Sequence, residues 1–424
     1  MRSARVYLLV FVGLVLPVSG GIAYWGRQSN PENMLYSGLF QLDQGLTEEA
    51  VSIAQSLDER GYVDHASLLR GEVWRRKGLA LASSTTAESA SDTSRASRAR
   101  QAFQQALAEF CRVRANDPLA LDSQVAGGEC LVRLGERKLA EETFAAVVKR
   151  KADHKEAHRW LAAIYIDLNS GQKAIEHLRA WGELEPSNGR PYRWIGLFCK
   201  DAKRADEAIE AYQEALRRDL EPALRTAVVE ECAQALMELR GDYQGSLRLL
   251  TELPEGQRQQ PNLLMIEAQC LLGQGQSARA GQVVDKVLGM APESVPALRL
   301  RAKIHLAENP PRQALSLLEK AVKADPYDIE SLQALMLTYR RLGDNAAADR
   351  ELRRLGETKS LWDELTKLQQ QAWRAPWDDQ IRCRIGELCQ RIHRPAEARM
   401  WLTAALDCNP DNQRAKQLLK AAAP

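Results

Sequence analysis

Small residues at the centre of apolar stripes recur along this chain at an almost fixed interval, and that interval constrains the fold more than any other feature. They are Ala50, Ala106, Ala140, Ala174, Ala208, Ser246, Ala280, Ala314, Ala348 and Ala398. The successive gaps are 56, 34, 34, 34, 38, 34, 34, 34 and 50 residues. A length of 424 residues, at a typical ~150 residues per domain, would suggest two or three globular units. A register kept over so many units instead describes one supersecondary element stacked repeatedly on itself.

A second series lies twelve residues before the first: Gly128, Ala162, Gly196, Gln234, Ala268, Ala302, Met336 and Gly386, with Gly38 and Gly71 in the first two units. Apolar residues follow seven positions after the small ones, from Leu57 and Val113 to Leu355 and Ala405. Two helices that cross closely need a minimal side chain on each where they touch, with large residues on either side. Proline then closes many pairs, at Pro118, Pro186, Pro292, Pro326 and Pro410, where it ends one helix and starts the next unit. Gln234 and Met336 are bulky for their places, so those helix pairs are expected to stand further apart.

Period and pattern together resemble the tetratricopeptide repeat (TPR) family, most clearly over residues 155–188, 189–222, 261–294 and 295–328, although Leu220 replaces a proline in the second. The resemblance implies an all-α, right-handed α-solenoid of about ten helix-turn-helix repeats over residues 31–412. Residues 413–424 are expected to form a capping helix over the last apolar edge. Two excesses in spacing carry expectations of their own. Residues 82–97 are rich in Ser, Thr and Ala without an apolar face, which predicts a flexible insertion at about 79–98. Near 358–376, Leu361, Leu365 and Leu368 share a helical face beside Trp362, Trp373 and Trp377, which predicts an extra packed helix.

The first 27 residues read as an address. Residues 6–25 carry no charged side chain, and twenty helical residues span about 30 Å, the hydrocarbon thickness of a bilayer. Arg2 and Arg5 precede the run and Arg27 follows it. The positive-inside bias therefore places the solenoid outside the cytoplasm, in a bacterial periplasm, behind a transmembrane signal anchor. The competing reading is a cleaved signal peptide, with Pro17 and Val18-Ser19-Gly20 at the cut, which would give a secreted form.

Charge narrows the function. Lys plus Arg number 58 against 56 acidic residues, without the basic excess that phosphate neutralisation demands of a nucleic-acid binder. Apolar residues make up 45%, too many for a disordered chain. The eight cysteines contain no Cys-x-x-Cys pair, so a zinc ribbon is not expected. Buried free thiols are the leading reading, and a Cys383–Cys389 disulfide stays open. His154 and His158, four apart around Glu156, offer the alternative of a metal-dependent or catalytic subunit. Register argues against it, since His154 falls in a turn and His158 in the next helix. No phosphate loop or nucleophile elbow stands out, and neither an enzyme nor a cofactor is expected.

In the family, positions 2, 5, 6, 9 and 12 of the first helices line the concave face. Here they place Arg159 and Trp160, then Arg190, Arg193, Trp194 and Lys200 in successive repeats, with Arg299, Lys303, Arg340 and Arg341 extending the surface. Aromatic faces with cationic neighbours suit a protein or peptide segment bearing acidic and apolar residues. The competing reading is that both tryptophans fill space between repeats. The family's Lys/Asn/Lys/Arg carboxylate clamp is not matched over three consecutive units. Membrane-anchored relatives of this kind act in envelope assembly and protein-complex biogenesis. One group, in lipopolysaccharide regulation, adds a cysteine metal module that this chain lacks. The expectation is a non-enzymatic, membrane-tethered scaffold.

Overall fold

The computed structural model describes residues 30–83, 91–308 and 311–421. Among these the chain forms helices and no strand. It divides into two compact units at Val147 and Val148. The first carries α1 (Pro31–Asp43), α2 (Thr47–Glu59), α3 (Val63–Ser83), α4 (Ser91–Phe110), α5 (Ala120–Leu134) and most of α6 (Arg137–Arg150). The second begins with α7 (Lys155–Asp167), α8 (Gly171–Leu184), α9 (Arg190–Asp201), α10 (Ala205–Leu216), α11 (Pro222–Ala235), α12 (Tyr243–Thr251) and the short α13 (Glu255–Arg258). It continues through α14 (Pro261–Gly273), α15 (Ser277–Met290), α16 (Val295–Glu308), α17 (Pro311–Ala324), α18 (Ile329–Leu342), α19 (Asn345–Arg374), α20 (Asp379–Arg391), α21 (Pro395–Cys408) and α22 (Gln413–Ala421).

The recurring small residues sit where the helices of each pair meet. All ten, from Ala50 to Ala398, have 0% exposure. The glycines among their counterparts in the first helices each leave room for a large side chain. A Cβ on Gly128 would lie 2.6 Å from the Phe144 ring, and one on Gly196 would lie 2.6 Å from the Tyr212 ring. The missing atom is thus replaced by an aromatic ring from the partner helix, which keeps the interior at crystal-like density. Ser246, the one polar member, donates its hydroxyl to the Ala233 carbonyl at 2.9 Å and so satisfies itself inside the core.

Several expectations change. Gln234 does not separate its helix pair, because Ala233 (0% exposed) takes the crossing position and a π-helical turn, Leu236–Arg240, absorbs the extra residue. The Gln234 amide instead accepts from Lys200 and donates to Glu238, each at 2.7 Å. The separate helix expected at 358–376 is the second half of α19, which runs unbroken for 30 residues. No proline interrupts residues 345–374, so a helix capped by Asp344, which accepts from the Ala347 N–H at 2.9 Å, has nothing to stop it before Pro376. The insertion at 79–98 is also more helical than its composition suggested. α3 reaches Ser83 and α4 starts at Ser91, with Phe103 and Phe110 of α4 packed over Gly78 and Gly71. Residues 84–90 lie outside the described residues. So does the transmembrane signal anchor expected in residues 1–27; no described helix is long and apolar enough to cross a membrane. At the other end, α22 packs Ala415 with Leu402 and Ala405.

Candidate functional site

The residues singled out on α7 and α9 lie in the second unit, held mainly by partners within it. Arg159 is exposed, pairs with Glu156 at 2.6 Å and lies 5.7 Å from the Trp160 ring centroid. Arg193 stands equally over Trp194 at 5.7 Å and makes a two-pronged contact with Glu231 at 2.6 and 3.0 Å. Arg190 pairs with Glu221. Trp194 stacks on Phe198 with ring centroids 6.1 Å apart. Lys200 donates to Gln234 at 2.7 Å. The arginines are therefore matched by carboxylates from their own helix or the following repeat. Glu221 and Glu231 were missed in the sequence, yet they stand 31 and 38 residues after their arginines, about one repeat on, a spacing that marks them as neighbours.

A wide groove lies further along, where the extension residues fall. It encloses about 1160 Å3 between α11 with its π-turn, α14, α16 and α18. Leu300, Leu306 and Leu337 line it, Leu337 being 47% exposed. Four cations border it, and they are not equivalent. Arg299 binds Asp328 at 2.6 Å and Glu330 at 3.0 Å, while Arg341 donates to the Leu306 carbonyl at 3.2 Å. Asp328 is partly buried, which opposes its ionisation, yet hydrogen bonds from Ser331 and Arg299 hold its carboxyl below the usual range. Lys303 and Arg340 are exposed and have no acidic partner among the described residues. The groove therefore pairs apolar side chains with two cations outside any ion pair, although Glu238 and Glu330 also line it.

The histidines do not form a shared metal site. His154 caps α7, its Nδ1 accepting from the Ala157 N–H at 3.3 Å. His158 uses both ring nitrogens: Nε2 lies 2.9 Å from the Ala152 carbonyl and Nδ1 lies 3.1 Å from Nδ1 of His177. Since a carbonyl can only accept, Nε2 of His158 carries hydrogen and its Nδ1 accepts from His177. His177, unmarked in the sequence reading, stacks on Tyr165 with an interplanar angle of 6°. Burial, then the neighbouring His158 and Lys173, lowers its pKa to about 4. No cluster of three or more His, Cys, Asp or Glu suited to a metal occurs among the described residues. The eight cysteines are free thiols, including Cys383 and Cys389. Burial pushes Cys130, Cys232 and Cys389 up to about 12, which suppresses thiolate chemistry there.

Two sequence profiles described as tetratricopeptide repeat match the chain, one at residues 125–189 and 267–329 and the other at 190–222. No curated protein matches it in sequence. Among solved structures, it is similar to a tetratricopeptide repeat protein of Parabacteroides merdae (19% identity, 63% of this chain and 98% of that one, TM-score 0.41). It is also similar to the C-terminal part of a repeat-containing protein of Cytophaga hutchinsonii (14% identity, 70% and 99%, TM-score 0.39). A third is YrrB, described as a TPR protein with an unusual peptide-binding site (18% identity, 46% and 98%, TM-score 0.37).

Proposed function

From the premise that this chain belongs to the tetratricopeptide repeat family, we propose that it is a non-catalytic scaffold whose groove between α14, α16 and α18 holds segments of partner proteins. The observation that carries this reading is the groove itself: Leu300 and Leu337 line it beside Lys303 and Arg340, which form no ion pair with a described residue. Such a surface favours a segment that places an acidic side chain next to an apolar one. Pre-organised walls keep the ordering cost of binding low. The arginines beside Trp160 and Trp194, which lie outside the lining of this groove, are already engaged. Residues 6–25 serve as a membrane tether and the solenoid faces the periplasm, which suits a role in envelope assembly or complex biogenesis; this placement rests on the apolar run and its flanking arginines.

Reversing both free charges, Lys303→Glu with Arg340→Glu, is expected to weaken binding of an acidic-apolar probe peptide alternating Glu and Leu by at least about tenfold, with unchanged helicity, since two charge pairs are replaced by repulsion. Equal binding would remove the groove reading. A C-terminal reporter active only in the cytoplasm should stay silent, and activity would reverse the topology.

A further inference from the structure

Position 4 of the first helix in the three repeats before α20 is a core position, filled by Leu264, Leu298 and Leu332, which are at most 3% exposed. On α20 the same position holds Arg382, a guanidinium with 0% exposure. It has no carboxylate. Its Nη1 donates to the carbonyls of Ala375 at 3.1 Å and Asp378 at 3.3 Å, and its Nη2 to that of Leu168 at 2.8 Å. Leu168 caps α7 and lies 214 residues earlier in the chain. Next to this contact Trp373, near the end of α19, shares a cavity of about 580 Å3 with Gly171, Ile175 and Phe198. The solenoid of the second unit thus returns to itself, with the α19–α20 junction seated on the α7–α8 turn.

We propose that Arg382 is a latch that closes this unit into a loop and fixes the curvature of the stretch between, α9 to α18, which bears the groove. The fastening is made for release. Burying a cation against neutral carbonyls carries a desolvation cost that a carboxylate would offset. The Nε of Arg382 and the indole N–H groups of Trp373 and Trp377 have no protein partner, so the contact is incompletely satisfied even when closed. A purely apolar seam would be the cheaper way to build a permanent junction. Opening exchanges the Leu168 bond for water and leaves the remaining helix pairs intact, because each repeat packs chiefly on its neighbours. The latch itself stands on geometry alone; that its state tunes partner binding rests on the groove reading.

Hydrogen exchange on the full-length chain tests the latch without any ligand. In the wild type, the amides of the latched turn, Leu168 to Ser170, should exchange about tenfold more slowly than those of the equivalent unlatched turns, Gln274 to Gln276 and Gly343 to Asp344. Arg382→Ala, or Arg382→Lys where the alanine variant loses helicity, should abolish that difference and speed exchange around Ala375, with α14 to α18 unaffected. Equal exchange of the three turns in the wild type, or a protected turn in a helical Arg382 variant, would overturn the latch. Weaker binding of the alternating Glu-Leu peptide to the Lys303→Glu, Arg340→Glu variant reports on the groove separately, so a failed groove and a failed latch are told apart.

Discussion

Lys203 has a left-handed backbone, φ 58°, in the turn between α9 and α10, where the matching turns use Gly275 at 78° and Gly343 at 82°. A Cβ makes that conformation unfavourable by ~1–2 kcal/mol, part of which glycine gives back as freedom in the unfolded chain. Lys203→Gly should therefore raise stability by about 0.5–1 kcal/mol in denaturant melts; a loss would show that the lysine makes a contact that matters more. His177 gives a pH signature. Its pKa is lowered to about 4 in the folded protein against ~6.5 in the unfolded chain, so the unfolded state binds more protons between these values. Stability then rises with pH across that window and is lost on acidification from 6.5 toward 4. The full drop is on the order of 3 kcal/mol. His177→Gln should flatten the profile between pH 4 and 6.5, and an unchanged slope would assign the effect to other groups.

Helices in this chain are governed by what their small residues meet. A Cβ on Gly196 would lie 2.6 Å from the Tyr212 ring, whereas nothing lies within 4 Å of a Cβ on Gly356 in the middle of α19. Gly196→Leu should destabilise by ~1–3 kcal/mol through overpacking, while Gly356→Ala should stabilise by ~0.5–1 kcal/mol through helix propensity alone. Thermal melts of both variants check the pair. The same contrast explains what was legible in the sequence. Close crossings at Ala174, Ala208 and Ala280 impose a strict spacing, so the repeat could be read directly. The continuity of α19 could not, because its length is decided by the absence of a stop signal and by packing of Leu365 and Leu368 against Ile385 and Leu388. Gln234 was misplaced because a π-turn shifted the register by one residue, and such a turn has no periodic mark.

For the whole chain, sequence spacing marked a row of cations but could not tell which of them are already matched by carboxylates. Arg190 and Arg193 are matched by Glu221 and Glu231, about one repeat later. Lys303 and Arg340 keep their charge because the carboxylates of the next repeat, Asp328 and Glu330, go to Arg299 instead. That choice between neighbouring cations is a matter of side-chain geometry. Arg382 was invisible for a related reason: its partner is a backbone carbonyl 214 residues away, and no residue pattern records a carbonyl. Position-specific photo-cross-linking in living cells addresses the central claim directly. A photoreactive residue replacing Leu337, in the groove, should capture discrete partners, while one replacing Leu352, similarly exposed on α19 (43% against 47%) but outside the groove lining, should not. Capture from position 352 and none from position 337 would contradict the account.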